Sequence, residues 1–407
     1  MIYFQIPFLV IVSLFTFYLS LLTALAFLYR SENNGPEKKW NRFAVIIPAH
    51  NEEITIEQTI RQLFNIGYPA ELFDVIVVAD NCEDKTAVIA ARMGALVLER
   101  FNKKFRGKGY ALKWCFDLLL KSSKKYDAFL IVDADTIVSE NILQIMNSYI
   151  NNGAAAIQCS DLVKPQHNSW SSEITRVGLI LYNYVKPLGK KVLNCSSGLR
   201  GNGMCFSADT LKKNPWQAFS QTEDLEYGIK LLMNGTQIIF APEAQVEAIM
   251  PANPKNAESQ RARWEIGRFP LILKYSGKLL SAAMAKKSFA LFDAFLDLIS
   301  PAFVNLFSFT ILIILLNILL LTLNISGANI FLILWIILLL MQIYHVLGGL
   351  YIAGADKTAY KALFYVPRYA LWKLILYIKL ALKGHSKLWV RTERETNSDT
   401  ILHKIAK

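Results

Sequence analysis

The chain has 407 residues, of which 53% are hydrophobic and 19% are charged, and its formal net charge is +12. This composition is too apolar for an ordinary soluble enzyme, so it predicts membrane segments in addition to a folded domain. The basic excess suits anionic lipid headgroups and nucleotide phosphates, but it is too scattered to predict nucleic acid as a partner.

The first predicted element is a transmembrane helix within residues 1–30. No charged residue occurs from 4 to 29, and a run of this length can cross a bilayer core of roughly 30 Å. The first four residues carry no basic side chain, so we expect a retained helix that ends at Arg30, not a cleaved signal peptide. A polar linker that contains Gly35-Pro36 follows this helix.

Residues 31–275 are predicted to form a cytoplasmic catalytic domain in which short β-branched runs alternate with helical patterns. The predicted strands are 43–48, 75–79 and 129–132, and the predicted helices are 54–64, 86–93 and 109–120. This alternation indicates a Rossmann-like α/β domain, with a mostly parallel sheet and helices on both faces. The five cysteines are widely spaced without a CxxC pair, which predicts reduced thiols and neither disulfides nor a zinc site.

Residues 276–385 are predicted to form a membrane region. Uncharged runs at 301–323 and 329–353 predict two more spanning helices. Residues 288–300 and 360–382 are typical of amphipathic helices on the membrane surface, although the second segment is apolar enough to span. Basic residues in the linker and in the tail, 386–407, place both in the cytoplasm. We therefore predict a multi-pass protein of the cell membrane.

Three polar clusters follow predicted strands, where functional groups of a parallel sheet gather. The first contains Pro48 and Glu52, and the second begins at Asp80, which can bind a ribose or a base edge. Each of these two clusters alone is weak evidence for a binding site, because Asp and Asn also occur at strand ends simply as turn-forming residues. The third is Asp133-Ala134-Asp135, whose carboxylates can bind a nucleotide and a divalent cation such as Mg²⁺ or Mn²⁺. Its alternative is an exposed acidic turn.

Two later clusters complete the pattern. In Thr222-Glu223-Asp224, a carboxylate can remove the proton from an acceptor hydroxyl, and the same residues can also cap the helix that follows. In Gln260-Arg261-Ala262-Arg263-Trp264, arginine can donate forked hydrogen bonds to a diphosphate and tryptophan can stack on a sugar. The alternative for this second cluster is a basic helix at the membrane interface.

These five clusters, in this order, resemble the membrane branch of the family 2 glycosyltransferases, which includes cellulose, hyaluronan and poly-N-acetylglucosamine synthases and ceramide glucosyltransferase. The resemblance covers roughly residues 43–269 and implies a GT-A fold, a UDP-sugar donor, Mg²⁺ or Mn²⁺, and inversion at the anomeric carbon. It implies Asp224 as the catalytic base with support from Glu223, and Asp135 as the metal ligand. The implied donor-binding residues are Pro48, Glu52, Asp80, Lys108, Asp133, Gln260 and Arg263. The implied acceptor-binding residues are Gly201, Asn202, Gly203 and Trp264.

Two departures from the family pattern leave the substrates open. Asp80-Asn81-Cys82 stands where the family usually has a carboxylate pair followed by glycine, and the stretch 198–206 differs from that of cellulose synthases. Lys108 is either a nucleotide contact or part of a solvated turn.

The remaining alternatives concern the acceptor and the class of protein. Synthesis of a polysaccharide is slightly favoured over single transfer to a glycolipid acceptor. Three spanning helices are few for a channel that exports a polysaccharide. Interface helices or a homo-oligomer would be needed to complete such a channel. A transporter or a non-catalytic module is less favoured, because we expect neither paired hydrophobic repeats nor intramembrane polar residues.

Overall fold

The computed structural model of the protein describes residues 2–31, 39–164, 170–248 and 254–383, and it describes no side chains within 249–266 or beyond 375. The strands in this part of the chain are β1 Phe43–Ala49, β2 Phe73–Asp80, β3 Leu96–Arg100, β4 Ala128–Ile131, β5 Thr136–Val138, β6 Ala156–Val163, β7 Met204–Ser207 and β8 Ile238–Ala248. The α-helices are α1 Ile6–Ala26, α2 Ile56–Leu63, α3 Thr86–Arg92, α4 Lys108–Lys121, α5 Ile142–Asn151, α6 Trp170–Leu179, α7 Lys186–Val192, α8 Ala208–Lys213, α9 Glu223–Met233, α10 Pro254–Ala285, α11 Phe289–Ile299, α12 Phe303–Thr322, α13 Ala328–Ile352, α14 Lys357–Ala362 and α15 Val366–Lys383.

The chain divides into two compact units, each made of three segments. We call the first the apolar-helix unit; it comprises Met1–Tyr29, His167–Asn194 and Leu296–Ser386. We call the second the sheet unit; it comprises Arg30–Gln166, Cys195–Phe295 and Lys387–Lys407.

The sheet unit is built on one eight-stranded sheet with the order β3-β2-β1-β4-β7-β6-β8-β5. Strands β3, β2, β1 and β4 are parallel neighbours, as are β6 and β8, while β7 and β5 pair antiparallel with their neighbours. This arrangement confirms the predicted α/β class and the mostly parallel sheet. The register aligns Pro48 with Val78, so β1 and β2 end at the same edge.

Both faces of this sheet are buried, which explains why its central strands are almost continuously apolar. Val45 and Ile47 point into a core that also contains Ile60 from α2 and Met146 from α5. Alternate residues of the same strand, such as Ile46, point into a second core on the opposite face, which includes residues of α4, α8 and α9. The prediction of helices on both faces is therefore confirmed.

Within its described residues, the apolar-helix unit contains three helices that are long and apolar enough to cross a membrane, over Tyr3–Ala26, Phe303–Thr322 and Ala328–Ile352. Polar side chains connect these helices, contrary to the expectation that they carry none. Gln5 and Asn317 exchange two amide hydrogen bonds, and the Trp335 indole donates to Gln5 Oε1 at 3.0 Å. Amides in an apolar environment need such partners.

The segment His167–Asn194 lies between β6 and β7 in sequence but belongs to the apolar-helix unit. It forms α6, a π-helix at Ile180–Val185, and α7. Lys186 and Lys190 of α7 bind the two oxygens of Asp297 with N–O distances of 2.5 and 2.7 Å. A side chain at Gly189 would overlap the Leu22 backbone, so glycine lets α7 approach α1 closely. The predicted domain 31–275 included this segment, and that boundary remains a prediction.

Candidate active site

Two asparagines shape the turns after β1 and β2. Asn51 and Asn81 have positive φ angles of 57° and 51°, a conformation that asparagine tolerates better than most residues. The Asn51 side-chain oxygen accepts the Glu83 amide at 2.7 Å, and that of Asn81 accepts the Asn102 amide at 2.8 Å. Each asparagine thus joins its turn to the adjacent loop. Pro48 lies half-buried at this edge, one residue before the end of β1.

The carboxylates of this edge are held by neighbouring side chains. Asp80 is buried and accepts hydrogen bonds from Arg100 and, at 2.9 Å, from the Asn81 side chain. Glu52 accepts the Thr55 hydroxyl at 3.0 Å and is half-buried in the turn before α2. Sequence reasoning placed Asp80 here but missed Arg100, which ends β3. The roles of Pro48, Glu52 and Asp80 in donor binding remain predictions.

Lys108 connects the ends of several elements. It is the first residue of α4, and its Nζ donates to Asp133 Oδ1 at 2.5 Å and to the Gly201 carbonyl at 2.6 Å. Burial alone would lower the pKa of Lys108, but the nearby carboxylates, Asp133 first and then Glu223 and Asp224, raise it. Lys108 is therefore a fixed cation among three predicted site residues, which does not fit the alternative of a solvated turn.

The stretch 200–203 forms a rigid loop beside Asp133. The Asn202 side chain accepts the Asp133 amide at 3.0 Å and donates to Thr136 Oγ1 at 2.9 Å. Gln158 is fully buried in β6 and binds both ends of the loop, because it accepts the Arg200 amide and donates to the Asn202 carbonyl. These contacts hold the loop between β4 and β6.

The glycines of this loop allow close packing. Gly201 has φ +87°, and a Cβ there would lie 3.4 Å from Asp224 Oδ2. Gly203 has φ +66°, and a Cβ there would overlap Cys159 Sγ. The predicted acceptor-binding stretch, Gly201 to Gly203, is thus placed directly beside the predicted base.

Glu223 and Asp224 lie in the first turn of α9, where Asp224 lies beside Gly201 of this loop and Glu223 lies beside Gly109 of α4. Burial, followed by the charge of Asp224, raises the pKa of Glu223 to about 7. Burial also raises the pKa of Asp224, although its hydrogen bond to the Leu225 backbone and the charges of Lys108 and Arg200 oppose this. Near neutral pH, the carboxylate pair therefore retains a proton that ordinary carboxyl groups would have lost.

Two further residues of the site escaped the sequence analysis. Asp161 lies in β6, and burial first, then the charge of Asp133, raises its pKa well above the usual range. Arg200 is close enough to Asp161 and Asp224 to lower the pKa of both. The only signal for Arg200 was its position between glycines, and Asp161 lies in no motif.

The predicted metal ligand, Asp135, and the predicted diphosphate contact, Asp133, are both oxygen donors. Asp133 and Asp135 lie half-buried directly after β4. Within the described residues, no group of three or more His, Cys, Asp or Glu side chains is arranged to hold a metal ion. One or two carboxylates that share a cation with substrate phosphates match the way proteins usually hold Mg²⁺, so the residues present fit this type of site.

The last cluster lies only partly within the described residues. Residues 254–285 form α10, but the side chains of Gln260, Arg263 and Trp264 lie outside the described part of the chain. The Thr222 hydroxyl donates to the Gly267 carbonyl at 3.1 Å, so the backbone of α10 passes the Thr222–Asp224 turn, which we call the catalytic turn for its predicted role, three residues after Trp264.

A mostly parallel sheet with an Asp-x-Asp pair, a lysine and a carboxylate pair at the start of a helix is the arrangement that the sequence analysis expects of a GT-A fold. Residues 41–267 match the model of the glycosyltransferase like family 2, and the chain belongs to this family.

Relatives of known sequence and structure agree with this assignment. The chain is 25% identical over 281 residues to a probable glycosyltransferase, YdaM, of Bacillus subtilis strain 168. This match covers 65% of each chain. It is 25% identical over 255 residues to a beta-monoglucosyldiacylglycerol synthase of Trichormus variabilis. This match covers 60% of this chain and 52% of the relative. The chain thus matches between half and two thirds of these relatives' lengths.

A solved structure shares the fold. A mannosyltransferase from Pyrobaculum calidifontis, in complex with GDP-Man and Mn²⁺, is 14% identical and has a TM-score of 0.55. The match covers 92% of this chain and 98% of the mannosyltransferase. This likeness confirms the predicted GT-A fold.

Proposed function

We propose that the protein is an inverting, metal-dependent hexosyltransferase that moves one sugar from a UDP-sugar to the hydroxyl of a membrane lipid at the cytoplasmic membrane face. The observation that carries the proposal is the convergence of Asp133 and the Glu223–Asp224 turn around Lys108. Inversion by direct displacement needs a cation beside the leaving diphosphate and a base on the acceptor side. This cluster contains both types of group.

Asp224 is the proposed general base. A base works best when its pKa lies near the operating pH, and burial raises the pKa of Asp224 above its ordinary value towards that range. The Gly201 backbone leaves room for an acceptor hydroxyl beside Asp224. Asp224 accepts the proton of this hydroxyl as the oxygen attacks the anomeric carbon.

The donor side is proposed to use Asp80, Lys108, Asp133 and Asp135. Asp80 binds the ribose or base, Asp133 contacts the diphosphate, and Asp135 would hold Mg²⁺ or Mn²⁺. When bound, the cation would neutralise charge on the departing nucleoside diphosphate. Lys108 contributes a fixed positive charge beside the same group. The proposed contacts of Pro48, Glu52, Gln260 and Arg263 complete donor binding, and Trp264 stacks on the acceptor.

The names of the relatives favour a lipid acceptor over the polysaccharide that the sequence slightly favoured. They include beta-monoglucosyldiacylglycerol synthases and a 4,4'-diaponeurosporenoate glycosyltransferase of Staphylococcus aureus, which is 25% identical over 196 residues. Three helices able to cross a membrane also suit an enzyme that meets its acceptor in the bilayer. A homo-oligomer that forms a polymer channel is the alternative.

The experiment is a donor screen in membranes that contain the full chain. Radiolabelled UDP-glucose, UDP-N-acetylglucosamine, UDP-galactose and GDP-mannose are supplied with and without Mn²⁺, and the products are extracted and sized. We expect one UDP-sugar to label a single organic-soluble product in a metal-dependent reaction. A long polymer would support the polysaccharide alternative, and absence of transfer from every donor would refute the proposed reaction.

A further inference from the structure

Helix α10 approaches the catalytic turn at a glycine. The Thr222 hydroxyl, one residue before Glu223, donates to the Gly267 carbonyl at 3.1 Å. A Cβ at Gly267 would lie 2.9 Å from Thr222 Cγ2 and 3.4 Å from Gln221 Cβ. Real side chains are not found as close as 2.9 Å, so any residue larger than glycine would push α10 away from the turn.

The second contact between α10 and α9 is centred on Glu226. Its side chain is buried, with 5% exposed, and its Oε1 accepts hydrogen bonds from Lys274 Nζ at 3.1 Å and Tyr275 Oη at 3.2 Å. Its Oε2 accepts the backbone amides of Phe219 and Ser220, both at 3.3 Å. Glu226 therefore joins α9, the loop before the catalytic turn and α10 through one carboxylate.

The charge of Glu226 is strongly stabilised in place. Burial would raise its pKa, but hydrogen bonds from Lys274 and Lys230 lower the pKa to about 2. A buried carboxylate with several donors has one favoured position, because any displacement leaves donors or charge unpaired. The contact thus remains formed throughout the neutral pH range.

The contacts between α9 and α10 lie on a different side of α9 from Asp224, the proposed base. Asp224 and Glu226 are two residues apart, which rotates their side chains by about 200° around α9. Asp224 accordingly lies beside Gly201 while Glu226 meets α10. On α10, positions 267 and 274 are seven residues apart and lie on the same face of the helix. Two contacts on one face fix both the position of α10 along its axis and its rotation about that axis.

We propose that Gly267 and Glu226 are positioning residues that set the catalytic turn against α10, so that the carboxylate of Asp224 is held at the distance from the acceptor that proton removal requires. The proposal rests on the proposed role of Asp224 as the base. Neither positioning residue touches the substrate. Their substitution is expected to lower kcat and to leave the affinity for the donor nucleotide unchanged.

The first test uses Gly267→Ala in the full-length enzyme in membranes. A displacement of about 1 Å at a catalytic group can reduce turnover about 100-fold, and this is the expected loss in kcat. The double variant Gly267→Ala/Thr222→Ser removes Cγ2, the nearest obstructing atom, and keeps the hydroxyl; we expect it to regain most of the lost turnover. Gly277→Ala is the matched control, because a Cβ at Gly277 on the same helix meets nothing within 4 Å.

The second test compares two lysines that donate to the same Glu226 oxygen at 3.1 Å. Lys274→Met removes one of the two hydrogen bonds that α10 donates to Glu226, whereas Lys230→Met removes a cation that lies on α9 itself. We expect a fall in kcat for Lys274→Met that is several times larger than for Lys230→Met. Equal effects would indicate that only the charge of Glu226 matters and would overturn its role between the helices.

The outcomes separate this proposal from the proposed function. If Asp224→Asn keeps normal turnover, the base assignment fails and the positioning proposal fails with it. If Asp224→Asn is inactive while Gly267→Ala matches Gly277→Ala, only the positioning proposal is overturned. It is also overturned if the added Ser substitution restores no activity, or if Gly267→Ala weakens UDP binding as much as it reduces kcat.

Discussion

Replacement of Glu223 by glutamine should stabilise the protein at alkaline pH. Glu223 has its pKa raised from about 4.5 to about 7 in the folded protein, which corresponds to a free energy on the order of 3 kcal/mol. The folded state therefore binds a proton more tightly than the unfolded chain. The free energy of unfolding falls as the pH rises from about 4.5 through 7, where the unfolded chain has already released this proton.

Glutamine has the same shape and carries no charge, so Glu223→Gln should avoid this loss. We expect its free energy of unfolding at pH 8 to exceed that of the natural protein by up to about 3 kcal/mol, with little difference near pH 4.5. The measurement is denaturant unfolding of the full chain in detergent at both pH values, followed by tryptophan fluorescence.

The control is Glu57→Gln, which removes an exposed carboxylate that pairs with Arg61 at 2.7 Å. Surface pairs of this kind contribute less than about 1 kcal/mol. An unfolding free energy at pH 8 that is equal to or lower than that of the natural protein would refute the reasoning for Glu223. A gain of the same size at both pH values would refute it as well, because the effect would not come from ionisation.

Three further predictions follow from the same geometry. In the pH profile of kcat/KM, the natural enzyme should gain activity as the pH rises through about 7, and Glu223→Gln should lose this inflection, because the carboxyl group whose pKa is about 7 is gone; an unchanged profile would contradict the pairing. Gly203→Ala should be less stable than Gly235→Ala by about 1–3 kcal/mol, since both glycines have positive φ but only the first would overlap a neighbouring atom, Cys159 Sγ; equal melting temperatures would contradict the packing. Asp135→Ala should weaken UDP binding in a Mn²⁺ titration and have little effect without metal; equal affinity with Mn²⁺ would exclude Asp135 as a ligand.

The sequence predicts the elements that depend on local patterns. The apolar, β-branched runs at β1, β2 and β4 and the helices α2, α3 and α4 were predicted within about two residues of their observed ends. Asp80 and Asp133 could be placed at one edge because parallel strands end together. The three long apolar helices were equally clear, since length and absence of charge suffice to identify them.

The rest depends on contacts between distant segments. Asp161 enters the site only because β6 pairs with β7 and β8. A register shift after Cys159 also interrupts the regular strand pairing of β6 just before Asp161. Gln5 meets Asn317 across more than 300 residues, so each amide looks isolated in its own apolar run. Glu226 resembles an ordinary surface residue of α9 until the position of α10 is known. Such pairings come from tertiary packing, which no local pattern records.

The arrangement of charged residues in the sheet unit also explains why the site reduces the stability of the folded protein. The carboxylates of Asp133, Asp161, Glu223 and Asp224 lie close enough to influence one another, and Lys108 lies among them. Like charges in a partly buried site reduce stability, and such strain is expected where a site must bind cations and move protons. A bound cation and an acceptor hydroxyl would relieve this repulsion.

The most direct test of the central claim compares Asp224→Asn with Asp209→Asn in the membrane transfer assay. Asp209 lies on α8 with 77% of its side chain exposed and serves as the matched control. We predict that Asp224→Asn binds UDP like the natural protein but transfers no labelled sugar, while Asp209→Asn transfers normally. Near-normal transfer by Asp224→Asn would contradict the assignment of the catalytic base.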